Sequence, residues 1–402
     1  MESETSVRRL RRREKQLADN SKNKYDLARA FHEFAFTSSE DGLLEQVTRA
    51  KRIIKLAYDN NTVPVSQKAI ISLVCTALDR TDKKSAFILT LYEADEMRLL
   101  EDDRIIDYLY HRYRYVVYPR VKLLDDYPPL LQVELASLCN FRCVFCYQTD
   151  NSFTKKSNGY MGTMALDLFK KVIDDVEGKV GFITMASRGE PLLAKNFPEM
   201  LDYISGKFVT VKMNTNASVL TTKKIHSILS SGVNTIVFSA DAADPETYKK
   251  LRVNGSLAKV VRNIELFRDI KEKEYPDAKV ITRVSGVMYD PHKQTLSSMK
   301  ELWGSLVDQI SFVNYCPWEN IYRSTPNEIV EPCSDLWRRM FVWFDGSVNP
   351  CDSDYRSELA VGSFPEKSLS KLWRSDSFES LRKAHGGNKR QTVSPCLGCT
   401  IV

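Results

Sequence analysis

From residue 128 onward the chain alternates between two textures. Residues 131–136, 180–186, 208–213, 235–238, 280–287 and 309–313 are short runs dominated by apolar and β-branched side chains. Between them, residues 166–176, 199–204, 223–230, 258–267 and 296–306 repeat their apolar residues at helical spacing. Strands that read as near-continuous apolar runs belong to parallel sheets covered on both faces. Six of them alternating with helices predict an α/β fold over 128–325, a partial (β/α)6 TIM-like barrel. In such a barrel the chemistry sits in the loops that follow the strands.

The flanks read differently. Over residues 1–120, apolar positions such as Leu27, Phe31 and Phe34, then Leu43, Leu44, Val47, Ile53, Ile54 and Leu56, recur at helical spacing with almost no strand-like alternation. An N-terminal domain of four or five packed helices is expected there. The run Arg8, Arg9, Arg11, Arg12 and Arg13 reads as a solvated end. His32-Glu33 lacks a second histidine at helical spacing, so it does not form a zinc-protease pair. Residues 330–402 are richer in turns, with Asp345-Gly346 and Asn349-Pro350, and hold four cysteines. They predict a small, separate cysteine-rich domain that binds a metal or cluster.

Composition narrows the chemistry. A net charge of +6 over 402 residues is too slight to argue for nucleic acid. No apolar run approaches the roughly 20 residues that cross a bilayer, and no apolar segment follows the arginine run. A cytoplasmic protein is expected. Its nine cysteines, an odd number, are therefore unlikely partners in a disulfide framework, and metal binding is the leading explanation. They fall as Cys139, Cys143 and Cys146, then Cys333, Cys351, Cys396 and Cys399, with Cys75 and Cys316 alone. Cys75, beside Leu73 and Val74, reads as core.

Cys139-Asn140-Phe141-Arg142-Cys143-Val144-Phe145-Cys146 follows the first strand directly. Three thiolates on one short loop can ligate three irons of a cubane cluster and leave the fourth iron open. A structural zinc loop or three free core cysteines are the bland alternatives. With a strand before it and the alternation after it, this motif resembles the radical S-adenosylmethionine (SAM) superfamily, from about residue 131 to the C-terminus. The resemblance implies a [4Fe–4S] cluster whose open iron is chelated by SAM, and cleavage of SAM to a 5′-deoxyadenosyl radical that abstracts hydrogen. A flavodoxin- or ferredoxin-type electron donor is implied with it. Phe145 matches the residue that lies against the adenine in that family.

Further matches follow the later strands. Ser187-Arg188-Gly189-Glu190-Pro191 is similar to the family's Gly-Glu-Pro loop, which implies that Glu190 and its neighbour Gly189 hold the methionine ammonium. Asn214-Thr215-Asn216-Ala217 is close to Thr-Asn-Gly, with Ala217 in place of glycine, so the turn there is expected to differ slightly. Ser239-Ala240-Asp241-Ala242 resembles the Ser-x-Asp-Gly segment, making Ser239 and Asp241 candidates for the SAM carboxylate or ribose. Asp244 and Glu246 read as a helix start. Arg252 and Arg283 are basic candidates for the SAM carboxylate.

The tail, with Cys333, Cys351 and Cys396-Leu397-Gly398-Cys399, satisfies the needs of a structural zinc site or of one further cluster. It looks like the abbreviated SPASM or twitch domain, which implies a second [4Fe–4S] cluster with no open iron. Two clusters together suggest dehydrogenation of a small hydroxylated substrate, of sugar or aminocyclitol type, with the second cluster taking an electron. Cys316, after the sixth strand, offers an alternative as the hydrogen donor of an epimerase. A maturase acting on a peptide or other macromolecule, and a zinc-stabilised interaction protein, are the remaining alternatives.

Overall fold

The computed structural model describes residues 32–35, 39–79, 85–290 and 292–401. The arginine run and the Leu27 and Phe31 positions lie outside them. Among the described residues four α-helices, α1 (Glu40–Asp59), α2 (Lys68–Leu78), α3 (Leu91–Arg98) and α4 (Ile105–Val121), precede the barrel. The strands are β1 (His32–Ala35), β2 (Leu130–Val133), β3 (Arg142–Cys143), β4 (Phe182–Met185), β5 (Thr210–Thr215) and β6 (Thr235–Ser239). They continue with β7 (Arg252–Val253), β8 (Ile281–Met288), β9 (Gln309–Asn314), β10 (Arg339–Val342), β11 (Ser347–Asn349) and β12 (Gly362–Ser363).

One ten-stranded sheet runs β1-β9-β8-β6-β5-β4-β2-β10-β11-β12. Its middle six strands, β2 to β9, are the six read from the sequence, and each pairs in parallel with its neighbour. The crossover helices cover the outside. In Leu166–Val176, for example, Phe169, Val172, Ile173 and Val176 point inward against the sheet, the stripe that a 3.6-residue period requires. Along β5 the burial alternates: Val211, Met213 and Thr215 are covered, while Thr210, Lys212 and Asn214 keep accessible surface. The β8 residues Arg283, Ser285 and Val287 do the same. The barrel interior is thus reachable and lined by polar side chains.

Two expectations are corrected. The N-terminal region is not wholly helical: β1 pairs antiparallel with β9, His32 opposite Phe312. A barrel left open ends in a strand with unmet N–H and C=O groups, and β1 covers that edge. The cysteine-rich tail is not a separate body either. Strand β10 pairs in parallel with β2, and β11 and β12 extend the sheet beyond it. Met340, Val342, Val348 and Trp373 join Leu131, Val133 and Phe169 in one apolar core.

The helices α1–α4 have their own core, and Phe182 and Val209 from the barrel reach into it. Polar contacts fasten them across the end of the barrel opposite the strand C-termini. Tyr92 donates its hydroxyl to the Ile310 carbonyl (2.8 Å), Gln309 donates to Asp95 (2.5 Å), and Arg104 donates to the Phe208 carbonyl (2.7 Å). The N-terminal unit therefore floors the barrel. No helix among the described residues is long and apolar enough to cross a membrane.

Candidate active site

At the C-terminal ends of the strands a cleft of about 180 Å³ is lined by Cys139, Cys143, Cys146, Glu190, Asn216 and Ser239. The loop after β2 is pinned in several places. Cys143 pairs with Arg252 in the β3–β7 ribbon, the Cys146 N–H donates to the Cys143 carbonyl (3.0 Å), and the Phe141 N–H donates to Cys139 Sγ (3.4 Å). Burial pushes all three thiols up, Cys139 to about 12, and neighbouring charges add to it: Glu190 for Cys139 and Cys143 for Cys146. Three buried thiols that disfavour their thiolates are stable as ligands only where a cationic group accepts them.

Two groups in the cleft await a partner. The Asn214 Oδ1 and Ser187 Oγ atoms are buried with no hydrogen bond among the described residues, and both residues line the cavity. Glu190 is nearly so. Its Oε1 accepts from Thr215 Oγ1 (2.7 Å) and the Leu192 N–H (3.1 Å), and its Oε2 accepts from the Asn216 N–H (2.7 Å). A carboxylate has about four lone-pair sites, so one on Oε2 stays available. Burial raises the Glu190 pKa, and those three donors hold it back. An ammonium group is the ligand chemistry that fits.

Gly189 lies against the base of the cysteine loop: a Cβ there would stand 2.4 Å from the Leu138 carbonyl oxygen and 2.5 Å from that of Ala136. Asn216 donates from Nδ2 to Asn140 Oδ1 (3.0 Å), and its Oδ1 accepts from Ser218. At Ala217 the backbone keeps a left-handed φ of 59°. The turn expected to change with alanine is thus retained, with strain.

The four tail cysteines gather below β10 and β11. Burial pushes each thiol up, Cys399 to about 12; Cys333 adds to this at Cys396 and Cys399, Asp352 and then the other three cysteines add to it at Cys351, and Asp335 adds to it at Cys333. Among the described residues no three His, Cys, Asp or Glu side chains converge as one metal ion requires. A cubane takes one thiolate at each iron, so its sulfurs need not converge on a single point.

Residues 133–291 match the family model of the radical SAM superfamily, and residues 333–400 that of an iron-sulfur cluster-binding domain, SPASM. The chain is a radical SAM enzyme.

Its relatives include the S-adenosyl-L-methionine-dependent 2-deoxy-scyllo-inosamine dehydrogenase of Niallia circulans, 23% identical over 69% of this chain and 95% of that one. The AdoMet-dependent heme synthase of Methanosarcina barkeri is 27% identical over 69% of this chain and 74% of the other. The mycofactocin maturase MftC of Mycolicibacterium smegmatis is 28% identical, but the match spans 39% of this chain and 37% of the maturase. Among solved structures, native anSMEcpe with bound AdoMet aligns with a TM-score of 0.51 at 14% identity, over 68% of this chain and 88% of that one, a likeness of fold.

This radical SAM enzyme uses S-adenosylmethionine and two [4Fe–4S] clusters. When bound, SAM with its cluster would supply a 5′-deoxyadenosyl radical for hydrogen abstraction. The chain's own part is to seat the cofactor. Phe145 offers a buried ring, and the Arg252 guanidinium lies 5.6 Å from its centre.

Three expectations about single residues need correction. Asp241 is fully buried behind the cleft wall, where it forms an ion pair with Arg252 and accepts from the Val287 N–H (2.7 Å). It positions Arg252, which lines the cavity. Arg283 does not reach the cleft. It is the third residue of the eight in β8, well below the strand's exit, and it donates to Gln309 Oε1 (2.8 and 2.5 Å) beneath the cavity. Cys316 faces the tail instead of the cleft: its Sγ lies 2.8 Å from Thr400 Oγ1, next to Cys399. Cys75 packs half-buried against the helical core.

Sequence reasoning missed Glu134, Arg188 and Arg390. Arg390 is buried among the tail thiols, donates to the carbonyls of Glu331 and Cys399 (both 2.9 Å), and lowers the pKa of Cys333, Cys396 and Cys399. No motif marks such a residue. Its role depends on where the chain folds back.

Proposed function

We propose that this enzyme dehydrogenates a small hydroxylated molecule. The substrate loses a hydrogen atom from a carbinol carbon to the deoxyadenosyl radical, a proton to a base and an electron to the tail cluster, leaving a ketone. Cys139, Cys143 and Cys146 hold the SAM cluster, and Cys333, Cys351, Cys396 and Cys399 hold the other. Glu190 takes the methionine ammonium, with Asn216, Ser239 and Arg252 around the rest of the cofactor. A flavodoxin- or ferredoxin-type protein supplies the first electron.

The observation that carries this reading is the direct mechanical link between the two cysteine sites. Arg188, adjacent to the Gly189-Glu190 turn of the cleft, donates to the Tyr355 carbonyl (2.9 Å), four residues after Cys351. A group that already has four thiolates has no place for substrate, and its remaining use is to carry electrons. Relatives named as a dehydrogenase and as a heme synthase are in keeping with it. Epimerisation through Cys316 has less support, because that thiol is turned toward Thr400.

Anaerobically reconstituted enzyme, dithionite and SAM with a panel of polyols, sugars and sugar acids test the proposal. The expected result is one 5′-deoxyadenosine per ketone with no deuterium taken from D2O, unchanged in Cys316→Ala. Deuterium incorporation that disappears in Cys316→Ala would instead establish the epimerase.

A further inference from the structure

Buried side chains with unmet polar atoms stand beside the tail cysteines. Asn349, the last residue of β11 and two before Cys351, is fully shielded from solvent, and neither its Oδ1 nor its Nδ2 has a hydrogen-bond partner among the described residues. Ser353, two residues after Cys351, is buried as well. Its N–H donates to Cys351 Sγ (3.3 Å), while its Oγ has no partner. His385, on the helix Asp376–Gly386, is fully shielded; its Nδ1 accepts from the Cys333 N–H (3.2 Å), and its Nε2 has no partner. Arg390, which holds the Cys399 carbonyl, leaves its Nε unmet in the same way.

The fold fixes how two of these groups meet the cysteines. Asn349 stands opposite Phe341, and Phe341 opposite Gln132, so the three side chains form one row on one face of the sheet. Gln132 donates to Asp352 Oδ2 (3.5 Å), and the chain leaving Cys351 therefore meets that face. Because neither amide atom of Asn349 is tied, its NH2 is free to turn toward a sulfur acceptor. At His385 the bond from Cys333 sets the tautomer. An Nδ1 that accepts carries no proton, so the neutral ring has its N–H at Nε2.

A buried donor without an acceptor is costly and rare in a folded chain. The thiolates and sulfides of an iron-sulfur cluster are acceptors, and hydrogen bonds to them set its reduction potential. We propose that His385 Nε2–H, Asn349 Nδ2 and Ser353 Oγ–H donate hydrogen bonds to the sulfurs of the tail cluster and make it easier to reduce. Reduction adds one electron, and the added negative charge strengthens each such bond, so the donors favour the reduced form. That is the direction needed in a group that takes an electron from the substrate. The inference rests on the four tail thiols holding the second cluster.

The test is a redox titration of the tail cluster, followed by electron paramagnetic resonance, in the anaerobically reconstituted full chain. Cys139→Ala, Cys143→Ala and Cys146→Ala together leave only the tail signal to read. His385→Asn keeps an acceptor for the Cys333 N–H near the Nδ1 position and removes the Nε2 donor; Asn349→Leu and Ser353→Ala remove the other two. In His385→Asn and in Asn349→Leu the reduced-to-oxidised ratio at the wild-type midpoint should fall about tenfold, a shift of about 59 mV for one electron. Ser353→Ala should move it in the same direction. Pulsed electron paramagnetic resonance of the wild type, made with isotope-labelled histidine, is expected to show a histidine nitrogen coupled to the reduced tail cluster, with a proton that D2O replaces. Where a variant assembles no cluster, that coupling decides alone. Unmoved midpoints, or a tail cluster with no coupled histidine nitrogen, overturn the proposal. A tail signal that survives Cys351→Ala removes the ligand assignment beneath it, and shifted midpoints without ketone formation remove only the dehydrogenation.

Discussion

Arg188 grips Glu134 with two parallel hydrogen bonds, Nη2 to Oε1 at 2.6 Å and Nε to Oε2 at 2.8 Å, and both side chains are almost completely shielded from solvent. Glu134 follows β2, and Arg188 follows β4. The same guanidinium donates to the Tyr355 carbonyl and lies 4.3 Å from the centre of the Trp343 ring. One side chain thereby joins the loop of the SAM cleft to the cysteine-rich tail.

Breaking this pair is expected to be costly, because either partner left alone is a buried unpaired charge. Arg188→Met or Glu134→Leu should each lower stability by about 3–5 kcal/mol in urea unfolding. The double variant should lose much less than the sum, since neither charge then remains. An additive result would show that the pair is not coupled.

Ala217 has a different kind of strain. Its φ of 59° is a left-handed conformation in which a Cβ crowds the following carbonyl. Ala217→Gly is expected to raise stability by about 0.5–1 kcal/mol, the relief being partly offset by the freer unfolded chain. Ala217→Val should lower it. Unfolding free energies of the two variants, opposite in sign, check the assignment.

Arg390 places a positive charge against the tail thiols. Arg390→Gln keeps amide donors for the Glu331 and Cys399 carbonyls and removes the charge, so the tail cluster should become harder to reduce. Redox titration followed by electron paramagnetic resonance should show a more negative potential for that cluster and an unchanged one for the SAM cluster. An unmoved tail potential would mean that Arg390 only ties the chain.

His111, on α4, packs beneath Gly181 in the joint between the helical unit and the barrel. Burial, and then Arg114, pull its pKa down to about 3. A depressed folded value makes its contribution complete above the ordinary histidine pKa near 6.5 and lost progressively as pH falls toward 3. Between pH 7 and pH 5 this one residue should remove about 2 kcal/mol. His111→Gln should flatten that part of the stability profile by a similar amount.

Much of this was legible in the chain. The six barrel strands, their order and the cysteine loop after the first of them were recoverable because each rests on residues close together in sequence. Glu190 and Asn216 were placed for the same reason, as loops directly after strands. Arg283 was misjudged because the sequence shows that it belongs to a strand but not how far below the exit it stands. Asp241 was taken for a ligand contact because nothing local shows that Arg252 occupies it.

The sequence by itself determined the class of fold, the two cysteine sets and the radical chemistry, since thiol spacing and strand periodicity are local properties. Tertiary structure alone decided which charges meet. Arg188 and Glu134 follow different strands, and Arg390 reaches Cys399 only where the tail folds back. Their pairing depends on distances across the fold, and those exist only once the sheet has curved and the tail has joined it.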